Sequence, residues 1–176
     1  MDPLQEYAVA SEWAIGRASL AVADLDAPTP CERWSVRDLI NHMVETQQYF
    51  IGAARGLNVA RPGQDPPEII GDDPVGDLLE ARALMLETFG ENGNGGPALG
   101  IAFSDLLVHG WDLAVAGGQD STMPEGLPEA AYATINGRFT DAQRVGVFGP
   151  ELRIPDAASA QDRLLAYTGR DPSAPG

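Results

Sequence analysis

The stretch Ser35–Gly56, SVRDLINHMVETQQYFIGAARG, decides how this chain folds. Ser35 and Asp38 have the spacing of a capping box, in which each side chain satisfies a backbone N–H orphaned at a helix start. Behind them Val36, Leu39, Ile40, Met43 and Phe50 recur at helical steps, and Gly56 is suited to end the helix. At about 100° per residue, His42 falls about 60° beyond Leu39, on the edge of that apolar stripe. A histidine there is either a satisfied boundary residue or a group that reaches between packed helices.

Outward from this helix the pattern repeats. Pro3 to about Leu25 reads as a helix through Leu4, Tyr7, Ala8, Ser11, Ile15, Ala18 and Val22, stopped by the breaker cluster Asp26–Pro30. A third helix follows Pro74 to about Phe89, and a fourth covers about Ala98 to Ala116. A fifth starts after Pro128 and continues through EAAYATINGRFTDAQR. The tail holds VGVFGPELRIP, the one hint of strand, then SAQDRLLAYTGR, a small helix capped by Gly169. The connection LNVARPGQDPPEIIGDDP is long enough to form a rim or lid, and GENGNGGP reads as loop. Several helices with almost no period-two alternation predict an all-α bundle. The length predicts a single domain over 1–176, with about 144–176 a docked tail and 171–176 frayed.

Composition narrows the chemistry. With 26 acidic against 11 basic residues, a net charge of −15 repels phosphate backbones and anionic lipid, so neither nucleic acid nor membrane is an expected partner. All 11 basic residues are arginine, which excludes Schiff-base chemistry, pyridoxal phosphate attachment and the lysine-containing phosphate loop. There is no run of 18 apolar residues, the acidic N-terminus lacks a secretory start, and the single Cys31 cannot form an internal disulfide. The expected location is the cytoplasm. Cys31 lies just before a helix start, where a thiolate is stabilised, but no histidine is adjacent to it. A small loop thiol is the preferred reading, and Trp34 and Trp111 read as packing anchors.

The fourth helix carries SDLLVHGWDL, Ser104–Leu113. With Ile101 at zero, Asp112 falls near about 20°, Asp105 near about 40° and His109 near about 80°. One narrow polar stripe therefore runs along a helix that is otherwise Leu, Phe, Val and Trp. It could be a solvated face, although such faces are usually wider and carry long Arg or Glu side chains. If it is buried, both carboxylates need partners. Asp105 and His109, one turn apart, can reach a common point. Asp112 has three readings: a further ligand, an acceptor for the far N–H of a histidine, or a surface residue. Asp38 could be such an acceptor too, but its capping position is the better use.

TPCERWSVRDLINHMVETQQYF, FSDLLVHGWDLAVAGGQD and FGPELRIPDAASAQDRLLAYTGRDP together resemble the DinB-like bundle superfamily. The chain is most similar to its metal-binding branch, related to the N-terminal domain of mycothiol-dependent maleylpyruvate isomerase. The resemblance runs over essentially the whole chain. It implies a DinB-like four-helix bundle, here with an additional C-terminal helix and a short irregular tail. It also implies a divalent metal held by a histidine of the second helix and an acid-x-x-x-His pair of a later one. In this sequence those positions are His42, Asp105 and His109. Two imidazoles and one carboxylate suit Zn²⁺, with Fe(II), Ni²⁺ or Mn²⁺ as alternatives, and leave a coordination position open.

The resemblance implies mycothiol as co-substrate, deprotonated at the metal, in an actinobacterial setting. The expected function is a metal- and thiol-dependent transferase or isomerase acting on a small electrophile, as monomer or homodimer. The alternative is a non-catalytic metal- or ligand-binding stress or regulatory bundle. Two departures bear on this. The isomerase has glutamate where this chain has Asp105, and its active site includes a second α/β domain for which this length leaves no room. A thiol-conjugating transferase is therefore easier to accommodate than maleylpyruvate isomerisation.

Overall fold

In the computed structural model, which describes residues 1–92, 95–140, 144 and 147–174, six helices and no strand are found among the described residues. They are α1 Pro3–Ala21, α2 Val36–Ala54, α3 Pro74–Asn92, α4 Gly96–Ala116, α5 Leu127–Ile135 and α6 Ala160–Tyr167. The first four form a ring in which α1 and α2 each pack against α3 and α4. α5 lies on α4, and α6 lies on α5. The all-α reading holds.

Local chemistry explains the helix limits. α2 starts as its sequence predicts: Asp38 Oδ2 accepts from the Ser35 N–H at 2.9 Å, and Ser35 Oγ accepts from the Asp38 N–H at 3.3 Å. Asp38 is thus a cap. α1 begins in a second capping box, Asp2 with Gln5, and ends at Ala21 rather than Leu25, because Val22–Asp24 tighten into a 3-10 turn. The segment Gly90–Pro97, expected as loop, is partly helical: α3 runs to Asn92 and α4 begins at Gly96. α5 stops at Ile135, since Asn136 is extended and Gly137 is left-handed at φ +72°. Part of its expected continuation, residues 141–143, lies outside the described residues, as do 145–146 of the apolar tail stretch. Of the tail expected to fray, Asp171–Ala174 form a turn in which the Ser173 N–H donates to Asp171 Oδ1 at 2.9 Å, and 175–176 lie outside the described residues.

The tightest seam joins α1 to α4. α1 buries Tyr7, Ala10, Ser11, Ala14, Ile15, Ala18 and Ala21, a mostly small-residue stripe that lets backbones approach. Opposite it, a Cβ on Gly110 would lie 2.5 Å from the Trp13 ring and 3.0 Å from Ala14 Cβ. Glycine is needed there for space. Tyr7 donates its hydroxyl proton to Gln47 Oε1 of α2, and Arg82 of α3 donates to Ser11 Oγ at 2.9 Å, so polar contacts tie the ring together. α4 is long and apolar enough to cross a membrane, yet 78% of its most apolar stretch is buried within the bundle. It is the core helix that carries Asp105, His109 and Asp112.

Candidate metal centre

α2 and α4 face each other across the core and bring His42, Asp105 and His109 together, with ligand-capable atoms all within 4.8 Å of one another. Both imidazoles are buried, and the Asp105 side chain is 23% exposed. The polar stripe of α4 is therefore not a solvated face. Asp105 Oδ1 lies 3.5 Å from His42 Nε2 and 3.4 Å from His109 Nε2. Charge-assisted hydrogen bonds are shorter, at about 2.7–2.9 Å. Donors bound at about 2.0–2.1 Å in a tetrahedron stand about 3.3–3.4 Å apart. The spacing thus matches ligands sharing one ion better than it matches direct pairing. Buried His42 Nδ1 and Asp105 Oδ2 have no hydrogen-bond partner in the structure, so each residue keeps unused hydrogen-bonding capacity beyond the atoms that face one another.

Asp112 resolves among its three readings. It is fully buried, its Oδ2 is 3.0 Å from His109 Nδ1, and it accepts two hydrogen bonds from Arg170, Nε to Oδ1 at 3.2 Å and Nη2 to Oδ2 at 2.8 Å. It is the acceptor behind the histidine. With Nδ1–H committed to Asp112, His109 presents Nε2 toward Asp105 and His42.

Electrostatics follow from this packing. Burial opposes ionisation of Asp105, but the His109 and then the His42 imidazole outweigh it and hold the carboxyl well below the usual range. Burial likewise works against a charged His109. The Asp105 carboxylate, seconded by Asp112, overcomes it and pushes the imidazole up to about 9. Asp112 also stays ionised against burial, chiefly through Arg170. In the metal-free chain, the Asp105 and Asp112 carboxylates thus face the His109 imidazolium and the Arg170 guanidinium.

Cys31 and Trp34 arrive on a turn between the 3-10 segment and α2. The turn is closed by the Thr29 N–H to the Trp34 carbonyl at 3.3 Å and passes through Arg33 at φ +78°. Trp34 is more than the packing anchor expected: its ring lies 4.6 Å from that of His42 and 5.9 Å from that of His109. Cys31 comes near His109 and Asp112, which its sequence neighbours gave no reason to expect. Burial, with the Asp112 carboxylate adding to it, pushes the thiol up to about 11, so it is no thiolate.

Arg170, Thr46 and the lining aromatics Tyr49, Phe139 and Phe148 were not singled out from sequence. Thr46, whose Oγ1 is 3.3 Å from His42 Nε2, lies one turn beyond that histidine and could have been found by helical spacing. Arg170 could not, since it stands 58 positions from Asp112. The loop between α2 and α3 does form a rim: Arg61, Pro62 and Gly63 border the cavity above the donors. Trp34 Nε1–H pins it by donating to the Gln64 carbonyl at 2.9 Å, and Asn41 Oδ1 by accepting from the Ile69 and Ile70 N–H groups.

Comparison with known proteins agrees with this architecture. Residues 8–84 match the family described as mycothiol maleylpyruvate isomerase N-terminal domain. Two uncharacterized proteins of Mycobacterium tuberculosis, from strains CDC 1551 / Oshkosh and ATCC 25618 / H37Rv, are each 30% identical over 188 residues, covering 97% of this chain and 98% of theirs. The chain belongs to the mycothiol maleylpyruvate isomerase N-terminal domain family. No solved structure matches it. The family is metal-binding and mycothiol-associated. The matched span includes His42, whereas Asp105, His109, Asp112 and Arg170 lie beyond it.

Proposed function

We propose that this chain is a metal-dependent transferase or isomerase that joins a low-molecular-weight thiol, mycothiol, to a small electrophile. One observation carries the reading: three donors meet at an accessible cavity, and no fourth His, Cys, Asp or Glu joins them among the described residues. His42, Asp105 and His109 would hold the ion; Zn²⁺ suits them, and Fe(II), Ni²⁺ and Mn²⁺ are the alternatives. Bound there, a divalent ion lowers the pKa of a thiol, supplying a nucleophile at neutral pH without a protein base.

The chain's own residues prepare that chemistry. Asp112 holds the Nδ1–H of His109 and so keeps its Nε2 directed at the other donors. Arg170 neutralises Asp112 from behind, which keeps the carboxylate from being an unpaired buried charge. Trp34 packs against the His42 ring, and apolar side chains surround the donors. The net charge of −15 supports small molecules rather than nucleic acid or membrane as partners.

The test is metal analysis of protein purified without a histidine tag. About one equivalent of transition metal, lost in His42→Ala, is expected; under about a tenth of an equivalent, with His42→Ala changing nothing, refutes the metal reading. Metal-loaded protein is then offered mycothiol and 1-chloro-2,4-dinitrobenzene, and a rate above the uncatalysed one is expected. No rate with this or several other electrophiles favours a non-catalytic metal-binding bundle.

A further inference from the structure

The cavity above the three donors has a volume of about 330 Å³. That is the low end for a small-molecule pocket, room for one or two rings rather than an extended ligand. Trp34, Phe50, Ile101, Val108, Ile135 and Phe148 supply apolar wall, from the turn before α2, from α2, from α4, from the end of α5 and from the segment after it.

Several polar groups on that wall are engaged already. Asp105 Oδ1 faces the two imidazoles while its Oδ2 has no partner, Arg170 is committed to Asp112 and the Thr168 carbonyl, and Ser104 donates its hydroxyl to the Gly100 carbonyl at 2.7 Å. The other arginine on the lining, Arg61, is exposed on the rim, where solvent screens it. An anionic ligand inside would lie beside Asp105, and the positive groups nearest to it, the His109 imidazolium and the Arg170 guanidinium, already serve Asp105 and Asp112. A polyhydroxylated ligand would leave hydroxyl groups facing Phe, Ile and Val, which is costly.

We propose that this chamber is the subsite of the electrophile, and that it selects an uncharged, largely apolar molecule of one or two rings. The polar body of the thiol then remains at the mouth, near Arg61. This inference rests on the thiol-transfer reading above, but the apolar wall exists without the metal, so the two can fail separately.

Isothermal titration calorimetry on the full chain, stripped of metal with EDTA at pH 7, tests it with three probes. 2-Naphthol should bind saturably, one per chain, whereas 2-naphthoate should bind at least about tenfold more weakly and myo-inositol not at all. Ile101→Asp and, independently, Phe50→Ser should weaken 2-naphthol at least about tenfold, with circular dichroism confirming that each variant is folded. No saturable binding of 2-naphthol, naphthoate binding as tightly as naphthol, or neither folded variant weakening it overturns the proposal. If both variants misfold, the naphthol-to-naphthoate ratio on the unaltered chain still decides. A chain that takes up metal but not naphthol removes this inference alone; one that takes up naphthol but no metal removes the metal reading alone.

Discussion

Arg170→Met puts the arrangement behind His109 under direct test. The wild-type guanidinium is 7% exposed and makes two hydrogen bonds to the fully buried Asp112 and one to the Thr168 carbonyl at 2.9 Å. Methionine keeps much of the side-chain length but leaves Asp112 with His109 Nδ1 as its remaining partner. Breaking a buried ion pair from one side costs about 3–5 kcal/mol. His109, charged at neutral pH, still faces the carboxylate, so the lower end applies and we expect about 3 kcal/mol. In a chain of this length that corresponds to a fall in Tm of roughly 6–12 °C. Urea and thermal unfolding by circular dichroism, both in EDTA, measure it. Adding Asp112→Asn to Arg170→Met removes the stranded charge and should restore part of the loss, because the penalty lies in the unpaired carboxylate. A readout independent of stability is Co²⁺ affinity, followed by its visible absorption: loss of the group orienting a ligand histidine should weaken it by about 10–100-fold. A variant within about 1 kcal/mol of wild type, or a double variant no better than the single one, would refute the reasoning about the pair.

Other outcomes follow from the same geometry. The His109 imidazole is raised from 6.5 to about 9 in the folded, metal-free chain. Its contribution is therefore complete below pH 6.5 and lost as pH rises toward 9, so Tm in EDTA should fall across that window, by less in His109→Ala. Gly169→Ala should destabilise by more than about 1–2 kcal/mol in urea melts, since it adds the left-handed penalty to a clash. Its φ is +83°, and a Cβ there would lie 2.6 Å from Gly149 Cα. Cys31→Ser should retain Co²⁺ binding, because Cys31 lies on the Asp112 side of His109, and the wild-type thiol should react slowly with iodoacetamide at pH 7.5, well below its value of about 11. A large loss of Co²⁺ affinity in Cys31→Ser would instead make the thiol a ligand.

Much of the fold was legible because its signals are local. The capping box at Ser35, the stripe of α2 and the left-handed glycine after α6 each lie within a few residues of what they determine. Boundaries were less legible where the determining contact is distant. α1 buries Ala10, Ala14 and Ala21 rather than Leu4, Ala8 and Val22, a shift in phase that suits the close approach allowed by Gly110 of α4, about one hundred positions away. Hydrophobicity favoured the larger side chains, whereas close backbone approach selected the smaller ones.

The site divides along the same line. A stripe of Asp and His on an apolar helix could be read from periodicity, and the resemblance supplied His42 from the facing helix. Arg170 gave no local signal, although the need for a cation did. A short buried carboxylate cannot reach water and cannot remain unpaired, so Asp112 required a partner from another element. In a chain without lysine that partner had to be one of 11 arginines or a histidine, and tertiary packing chose both Arg170 and His109. The same count applied to Asp105 gives a different answer. Its nearest basic groups are two imidazoles standing farther off than a hydrogen bond would bring them, and one of its oxygens has no partner. The stripe is thus asymmetric: the acid at its inner end is fully compensated by the protein, and the acid facing the cavity is compensated only in part. That difference marks which of the two is built to meet something from outside.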